Sequence, residues 1–272
     1  NSFLLKGVQK DKLYDFLREM EFNKLLSRVI SFYGETGNKK IQSSNPKMQS
    51  ETINVKGYES ITNEKVLDKW IKILNEQSVI AVDTETSSLN PLDADLVGIS
   101  FSYAPNKACY IPLAHKNIKG LKKEIVLKKI KPILEDPSIK KVGQNIKFDF
   151  IIFKQNGIEV NPIEDTMLIS YTLDAGTNRH NLDTLSEIHL NHKTISYKEL
   201  VGTGKNKLNF SDVALDKATE YAAEDADITY RLYKIFLKNL KSEKLLNLSN
   251  SSVIRWYSCH NRYQINMVME AQ

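Results

Sequence analysis

The sequence of 272 residues contains only two cysteines, Cys109 and Cys259. They lie far apart and match neither a disulfide framework nor the paired spacing of a structural metal site. No apolar run approaches the roughly twenty residues that are needed to span a bilayer. The N-terminus also lacks the basic-then-apolar order of a signal peptide. We therefore expect a soluble, cytoplasmic protein without a membrane partner.

Internal repeats and sustained heptads are also absent from the sequence, which excludes solenoids and long coiled coils. Apolar residues make up 41% of the chain, enough for an ordinary globular core. The formal net charge is +5, with 38 basic residues dispersed among 33 acidic ones. This charge permits phosphate binding but does not indicate it. A functional assignment must therefore come from particular residues.

Hydropathy and composition divide the chain into four segments. Residues 13–32 have the apolar spacing of one or two amphipathic helices, and we assign residues 1–34 to a helical segment. Residues 35–52 are polar and read as a linker. Residues 53–246 form the main domain, and residues 247–272 an irregular tail. Cys259 and His260 in the tail are too few ligands for a metal site.

The main domain has the pattern of an α/β fold. The predicted elements are a helix over 64–75, a buried strand over 79–82, a hairpin turning at 104–107, a helix over 121–134, a strand over 139–143 and a helix over 146–155. From residue 165 onward the chain reads as helical, with a long last helix capped by Ser211. Together these elements predict a mixed sheet with helices on its faces.

Two acids, Asp83 and Glu85, directly follow the predicted strand 79–82. Residues two apart in an extended chain point to the same side of the sheet, so the two carboxylates have one common target. Like charges held that close are costly unless a cation shares them. An isolated D-T-E sequence is also typical of a turn or of a solvent-exposed site, so this pair alone identifies nothing.

Further acids follow in two predicted helices. Asp149 ends the sequence QNIKFD at the opening of a helix, where an acid also complements the helix dipole. In YAAEDAD, Tyr221 and Asp225 are four residues apart and share a helix face. Tyr221 also fits an ordinary half-buried aromatic residue. We assign Glu224 and Asp227 in the same stretch to the solvated surface.

The order of D-T-E, QNIKFD and Y-x-x-x-D resembles that of the DEDDy proofreading exonucleases. The stretches AVDTETSSL, KVGQNIKFD, RHNLDTLSE and YAAEDADIT resemble more specifically the 3′→5′ exonuclease domain of bacterial family A DNA polymerases, over about residues 61–241. The N-terminal sequence LYDFLREMEFNKLLSRV resembles the end of the 5′ nuclease domain that precedes it in such polymerases. The resemblance implies a ribonuclease-H-like fold.

The family resemblance assigns a role to each motif residue. Asp83, Glu85, Asp149 and Asp225 are similar to the four carboxylates that hold two divalent cations, Mg²⁺ or as a substitute Mn²⁺. Asp83 would bridge the two ions, Glu85 and Asp225 would complete the first site, and Asp149 would hold the second. The phenol of Tyr221 would orient the attacking water by hydrogen bonding. The weaker assignments are an apolar wedge at the terminal base, Leu89, and contacts to the terminal nucleotide, Thr84 and Asn145.

The implied substrate is a single-stranded or frayed 3′ end of DNA, because the terminal bases must unstack to reach the acids. The last two dozen residues do not resemble the start of a polymerase domain, so we expect no polymerase activity from this chain. The polymerase domain would lie in cis in a parent protein if the chain is a fragment. Two alternatives stay open: a catalytically silent DNA-binding or structural module, and an RNA-trimming exonuclease like the ribonuclease D group.

Overall fold

The computed structural model describes residues 8–20, 22–34, 52–116, 118, 120–176, 178–204 and 207–246. The chain divides into two compact units, Asn1–Ser50 and Glu51–Gln272. The predicted tail 247–272 and all of the predicted linker except Thr52 lie outside the described residues. The four-segment division therefore stays a prediction.

The first unit contains two helices, α1 (Lys10–Glu19) and α2 (Asn23–Tyr33), as the apolar spacing predicts. Tyr14 and Leu17 of α1 are buried. The hydroxyl of Tyr14 donates a hydrogen bond to the carbonyl oxygen of Gly34 at 2.7 Å. This bond joins the first helix to the end of the second.

The second unit contains one six-stranded mixed sheet. Its strands are β1 (Glu59–Ser60), β2 (Val79–Thr86), β3 (Leu96–Ala104), β4 (Lys107–Pro112), β5 (Lys140–Gly143) and β6 (Ile163–Asp165). The strand order is β1-β4-β3-β2-β5-β6. The strand β3 runs antiparallel to both of its neighbours, and the other pairs are parallel.

Helices cover both faces of the sheet. They are α3 (Glu64–Asn75), α4 (Lys123–Glu135), α5 (Lys147–Gln155), α6 (Thr166–Asp174), α7 (Leu182–Leu190), α8 (Tyr197–Val201) and α9 (Leu215–Ser242), with 3₁₀ turns at Val55–Gly57 and Phe210–Asp212. Ile80 and Val82 of β2 pack with α3, α4 and α5 in one core. Val142 of β5 packs with α6, α7 and α9 in another. The predicted α/β class with a mixed sheet is confirmed.

Two element predictions need correction, and two short strands were not predicted. β2 continues to Thr86, so Asp83 and Glu85 lie within the strand and not after it, because pairing with β3 keeps the backbone extended as far as Thr86 opposite Leu96. α9 begins at Leu215, since the predicted cap Ser211 belongs to a 3₁₀ turn. The strands β1 and β6 are two and three residues long, too short to produce a periodic pattern.

Among the described residues, no helix is long and apolar enough to cross a membrane.

Candidate active site

Three carboxylates from two distant parts of the sequence meet in the second unit. Asp83 and Glu85 are two residues apart in β2, and alternation along the strand places them on the face opposite Ile80 and Val82. The helix α9 packs against β2 and contributes Asp225. One carboxylate oxygen of each of the three acids lies within 4.8 Å of the others. The predicted convergence of these acids is thus present in the fold.

The three acids are poorly solvated and repel one another. Burial raises the pKa of Asp83, Glu85 and Asp225 well above the ordinary values, and neighbouring carboxylates raise each pKa further. A buried group of like charges is unfavourable until a cation offsets it. Its ligand atoms are all carboxylate oxygens, which suit Mg²⁺ and Mn²⁺. The cluster therefore fits a divalent cation.

Asp149 lies beside this cluster, in the first turn of α5, and is only 3% exposed. Its Oδ1 accepts two hydrogen bonds from Thr84, one from the backbone amide at 2.9 Å and one from the hydroxyl at 2.5 Å. The amide is available because the pairing of β2 with β5 ends at Ala81. Burial raises the pKa of Asp149 to about 7, against the opposing effect of the Thr84 bonds. Asp149 in turn raises the pKa of Asp83 and of Glu85, so the fourth acid acts electrostatically on the two acids of β2.

Tyr221 lies one turn before Asp225 on α9 and forms a hydrogen bond with it. Burial, and then the charges of Asp225, Glu85 and Asp83, raise the pKa of this phenol far above its usual value. Tyr221 therefore stays protonated at neutral pH and serves as a hydrogen-bond donor. Its ring lies 6.0 Å, centroid to centroid, from those of Tyr197 and Phe210.

Of the remaining predicted residues, Asn145 and Leu89 lie in loops at the same end of the sheet, and Thr84 lies in β2. Asn145 adopts a left-handed conformation with φ of 58°, and its backbone amide donates a hydrogen bond to Asp165 Oδ1 at 3.0 Å. Leu89 follows β2, and its side chain is 92% exposed. The hydroxyl of Thr84, predicted to contact the terminal nucleotide, is already bonded to Asp149.

An open cleft of about 700 Å³ brings these residues together. All predicted site residues except Asp225 line it. The cleft is lined by Asp83, Thr84, Glu85, Thr86, Ser87, Ser88, Leu89, Gln144, Asn145, Phe148, Asp149, Tyr197, Lys207, Leu208, Asn209 and Tyr221. Tyr197 and Phe148 line the cleft although the sequence motifs do not predict them there. Tyr197 reaches the cleft only through tertiary packing of α8, for which the local sequence carries no signal.

The assignment of Glu224 and Asp227 to the solvated surface is wrong. Their exposed fractions are 1% and 0%. Asp227 accepts hydrogen bonds from the Tyr58 hydroxyl at 2.8 Å, from the backbone amide of Asn106 at 3.1 Å and from Arg231 Nε at 3.1 Å. Glu224 accepts from His192 and from the amide of Ile195. Both charges tolerate burial because donors surround them.

Residues 58–241 match the family model of the 3′-5′ exonuclease. The chain belongs to this exonuclease family. The match begins and ends within a few residues of the stretch that carries the sequence resemblance, and it contains the acid cluster, Asp149 and Tyr221.

Several DNA polymerases I are similar to this exonuclease chain. The enzyme of Rhizobium leguminosarum is 41% identical over 211 residues, which are 70% of this chain and 21% of that protein. The enzyme of Pseudomonas aeruginosa is 35% identical over 240 residues, 86% of this chain and 26% of that protein. The chain thus spans about a quarter or less of these relatives. It contains a 3′-5′ exonuclease domain of the DNA polymerase I type.

Solved structures with the same fold include an exoribonuclease. Escherichia coli RNase D, an exoribonuclease involved in structured RNA processing, superimposes with a TM-score of 0.59 at 18% identity, over 76% of this chain and 50% of that one. NrnC of Brucella melitensis has a TM-score of 0.53 at 22% identity, over 72% and 85%. These similarities confirm the ribonuclease-H-like exonuclease fold that the resemblance implied.

Proposed function

We propose that this exonuclease domain hydrolyses the terminal phosphodiester of single-stranded or frayed DNA 3′ ends, and that it is the proofreading part of a DNA polymerase I. The observation that carries the proposal is the cluster of Asp83, Glu85 and Asp225, poorly solvated and beside an open cleft. A purely structural module has no need to keep repelling carboxylates together there. The polymerase domain would lie in cis, in the part of such a protein that this chain does not span.

The four acids would hold two divalent cations, with Asp83 shared between them, Glu85 and Asp225 at the first and Asp149 at the second. Such cations, when bound, lower the pKa of an attacking water and stabilise the charge that develops at phosphorus. Tyr221 would orient that water by a hydrogen bond that replaces the one between its hydroxyl and Asp225. Its raised pKa argues against direct proton abstraction by the phenolate.

We propose that the cleft contacts the 3′ end of a DNA strand and does not read its base sequence. Leu89 would lie against the terminal base, since a large apolar side chain that is 92% exposed stands at the edge of the cleft. Asn145 would contact the terminal nucleotide. Thr84 would contact it through its backbone or methyl group, because Asp149 already engages its hydroxyl. A mismatched end unstacks more readily, which gives proofreading selectivity by fraying.

Degradation of a 5′-labelled single-stranded DNA, in the presence of Mg²⁺ or Mn²⁺ or of EDTA, tests this proposal. We expect a ladder that shortens from the 3′ end and that disappears with EDTA. A matched strand with an inverted 3′-terminal nucleotide is the control, and it should persist.

The same assay with an RNA strand of equal sequence separates the competing functions. Faster loss of RNA than of DNA would favour RNA trimming, as RNase D performs on the same fold. If the folded protein binds the DNA but leaves it intact with either cation, the silent-module hypothesis replaces the proposal.

A further inference from the structure

Glu224 is a buried carboxylate that the proposed chemistry does not use. It precedes Asp225 on α9, but successive residues of a helix point about 100° apart, so the two acids face different neighbours. Glu224 Oε1 lies 2.7 Å from His192 Nε2, and Oε2 accepts a hydrogen bond from the backbone amide of Ile195 at 2.7 Å. Both donors belong to the segment 191–196 that joins α7 to α8.

The segment 191–196 leads directly into the wall of the cleft. α8 begins at Tyr197, two residues after the amide that Glu224 accepts. Tyr197 lines the cleft, and its ring contacts that of Tyr221, which lies on α9 less than one turn before Glu224. α9 therefore contacts this part of the chain at two places: the buried carboxylate of Glu224 holds the segment 191–196, and the Tyr221 ring contacts that of Tyr197 at the start of α8.

Separate hydrogen bonds tie the same segment to α7. Thr194 Oγ1 donates to Asp183 Oδ1 at 2.7 Å, and Ser186 Oγ donates to the carbonyl oxygen of His192 at 2.9 Å. These bonds do not involve the His192 imidazole or α9. Loss of the imidazole should therefore leave the segment folded on α7 while it loosens the connection to α9.

We propose that His192 and Glu224 are positioning residues, which hold the segment 191–196 against α9 and thereby place the Tyr197 ring at the cleft next to Tyr221. The inference rests on the proposed exonuclease function, since it gives a role to the wall of that site. A ring held in place binds a strand end at a lower entropic cost than a mobile one. The effect should therefore appear in substrate binding more than in the chemical step.

Steady-state kinetics on single-stranded DNA and anisotropy binding of the same strand in EDTA test this role. We expect His192→Ala to raise KM and the dissociation constant about fivefold, with kcat within about twofold of wild type. His192→Gln should restore most of the affinity, because its amide can still donate to Glu224. Glu187→Gln, an exposed change on α7, is the control and should leave both quantities unchanged.

A double-mutant cycle shows whether His192 acts through Tyr197. Independent effects multiply, whereas effects through one group do not. We expect His192→Ala to add nothing when Tyr197 is already alanine. Multiplying effects, unchanged affinity of His192→Ala, or no rescue by glutamine would each overturn the inference. Because the binding arm needs no cleavage, it decides the inference even if the wild-type protein proves inactive and the proposed function fails.

Discussion

Replacing Asp83 by asparagine should slow the degradation of single-stranded DNA at least about a thousandfold, which corresponds to about 4 kcal/mol of transition-state stabilisation. Asp83 belongs to the three-acid cluster and also interacts with Asp149, which agrees with its proposed role as the acid that both cations share. Asparagine keeps the size of the side chain and removes only the charge. The measurement is the rate of loss of a 5′-labelled strand at saturating Mg²⁺.

The same substitution should have the opposite effect on stability when divalent cations are absent. Removal of one charge relieves the repulsion that raises the pKa of the neighbouring acids. We expect Asp83→Asn to unfold about 2–4 °C above wild type in EDTA, as for a gain of about 1 kcal/mol in a domain of this size. Asp216→Asn, an exposed acid in the first turn of α9, is the matched control. In the activity assay, an Asp83→Asn protein that degrades the strand as fast as wild type would contradict the catalytic role assigned to this acid.

Gly98→Ala should be the most destabilising single methyl addition to the sheet. Gly98 lies in β3 directly opposite Glu85, and a Cβ atom there would come within 2.0 Å of the Tyr110 hydroxyl oxygen and 2.3 Å of its ring carbons. Tyr110 has no free space to move into, because it is completely buried and its hydroxyl lies 2.8 Å from His115 Nε2. We expect a loss of about 3 kcal/mol or more in the free energy of unfolding.

Thermal unfolding measures this loss, and we expect a melting temperature lower by about 6–12 °C. Gly57→Ala is the control, because a Cβ atom there meets only the side chain of Asn54, which can move. Adding Tyr110→Leu to Gly98→Ala should recover part of the loss, since it removes the clashing ring. If Gly98→Ala alone melts like wild type, the Tyr110 ring does not pack against Gly98 as closely as the structure places it.

Local sequence patterns predicted each half of the acid cluster but not that the two halves meet. Alternation along β2 predicted that Asp83 and Glu85 share a face, and a spacing of four predicted the same for Tyr221 and Asp225. The family resemblance supplied the connection between these two elements. Asp149 was identified in the same way, but its two bonds to Thr84 depend on where the pairing of β2 with β5 ends.

The burial of Glu224 and Asp227 could not be predicted from the helix that carries them. A helix pattern shows which residues share a face, but not which distant donors will cover that face. The partners of Asp227 include Tyr58 and Asn106, more than a hundred residues earlier in the chain. The partners of Glu224 come from the connection between α7 and α8. A charged stretch such as EDAD therefore looks solvated until the tertiary structure is known.

Calorimetric titration of Mn²⁺ into the protein tests most directly whether the acid cluster is built for divalent cations. We predict saturable binding by the wild-type protein and by the Asp216→Asn control, and a loss of at least the tighter binding step in Asp225→Asn. Wild-type protein that takes up no ion, or Asp225→Asn protein that binds Mn²⁺ as well as wild type, would contradict the account.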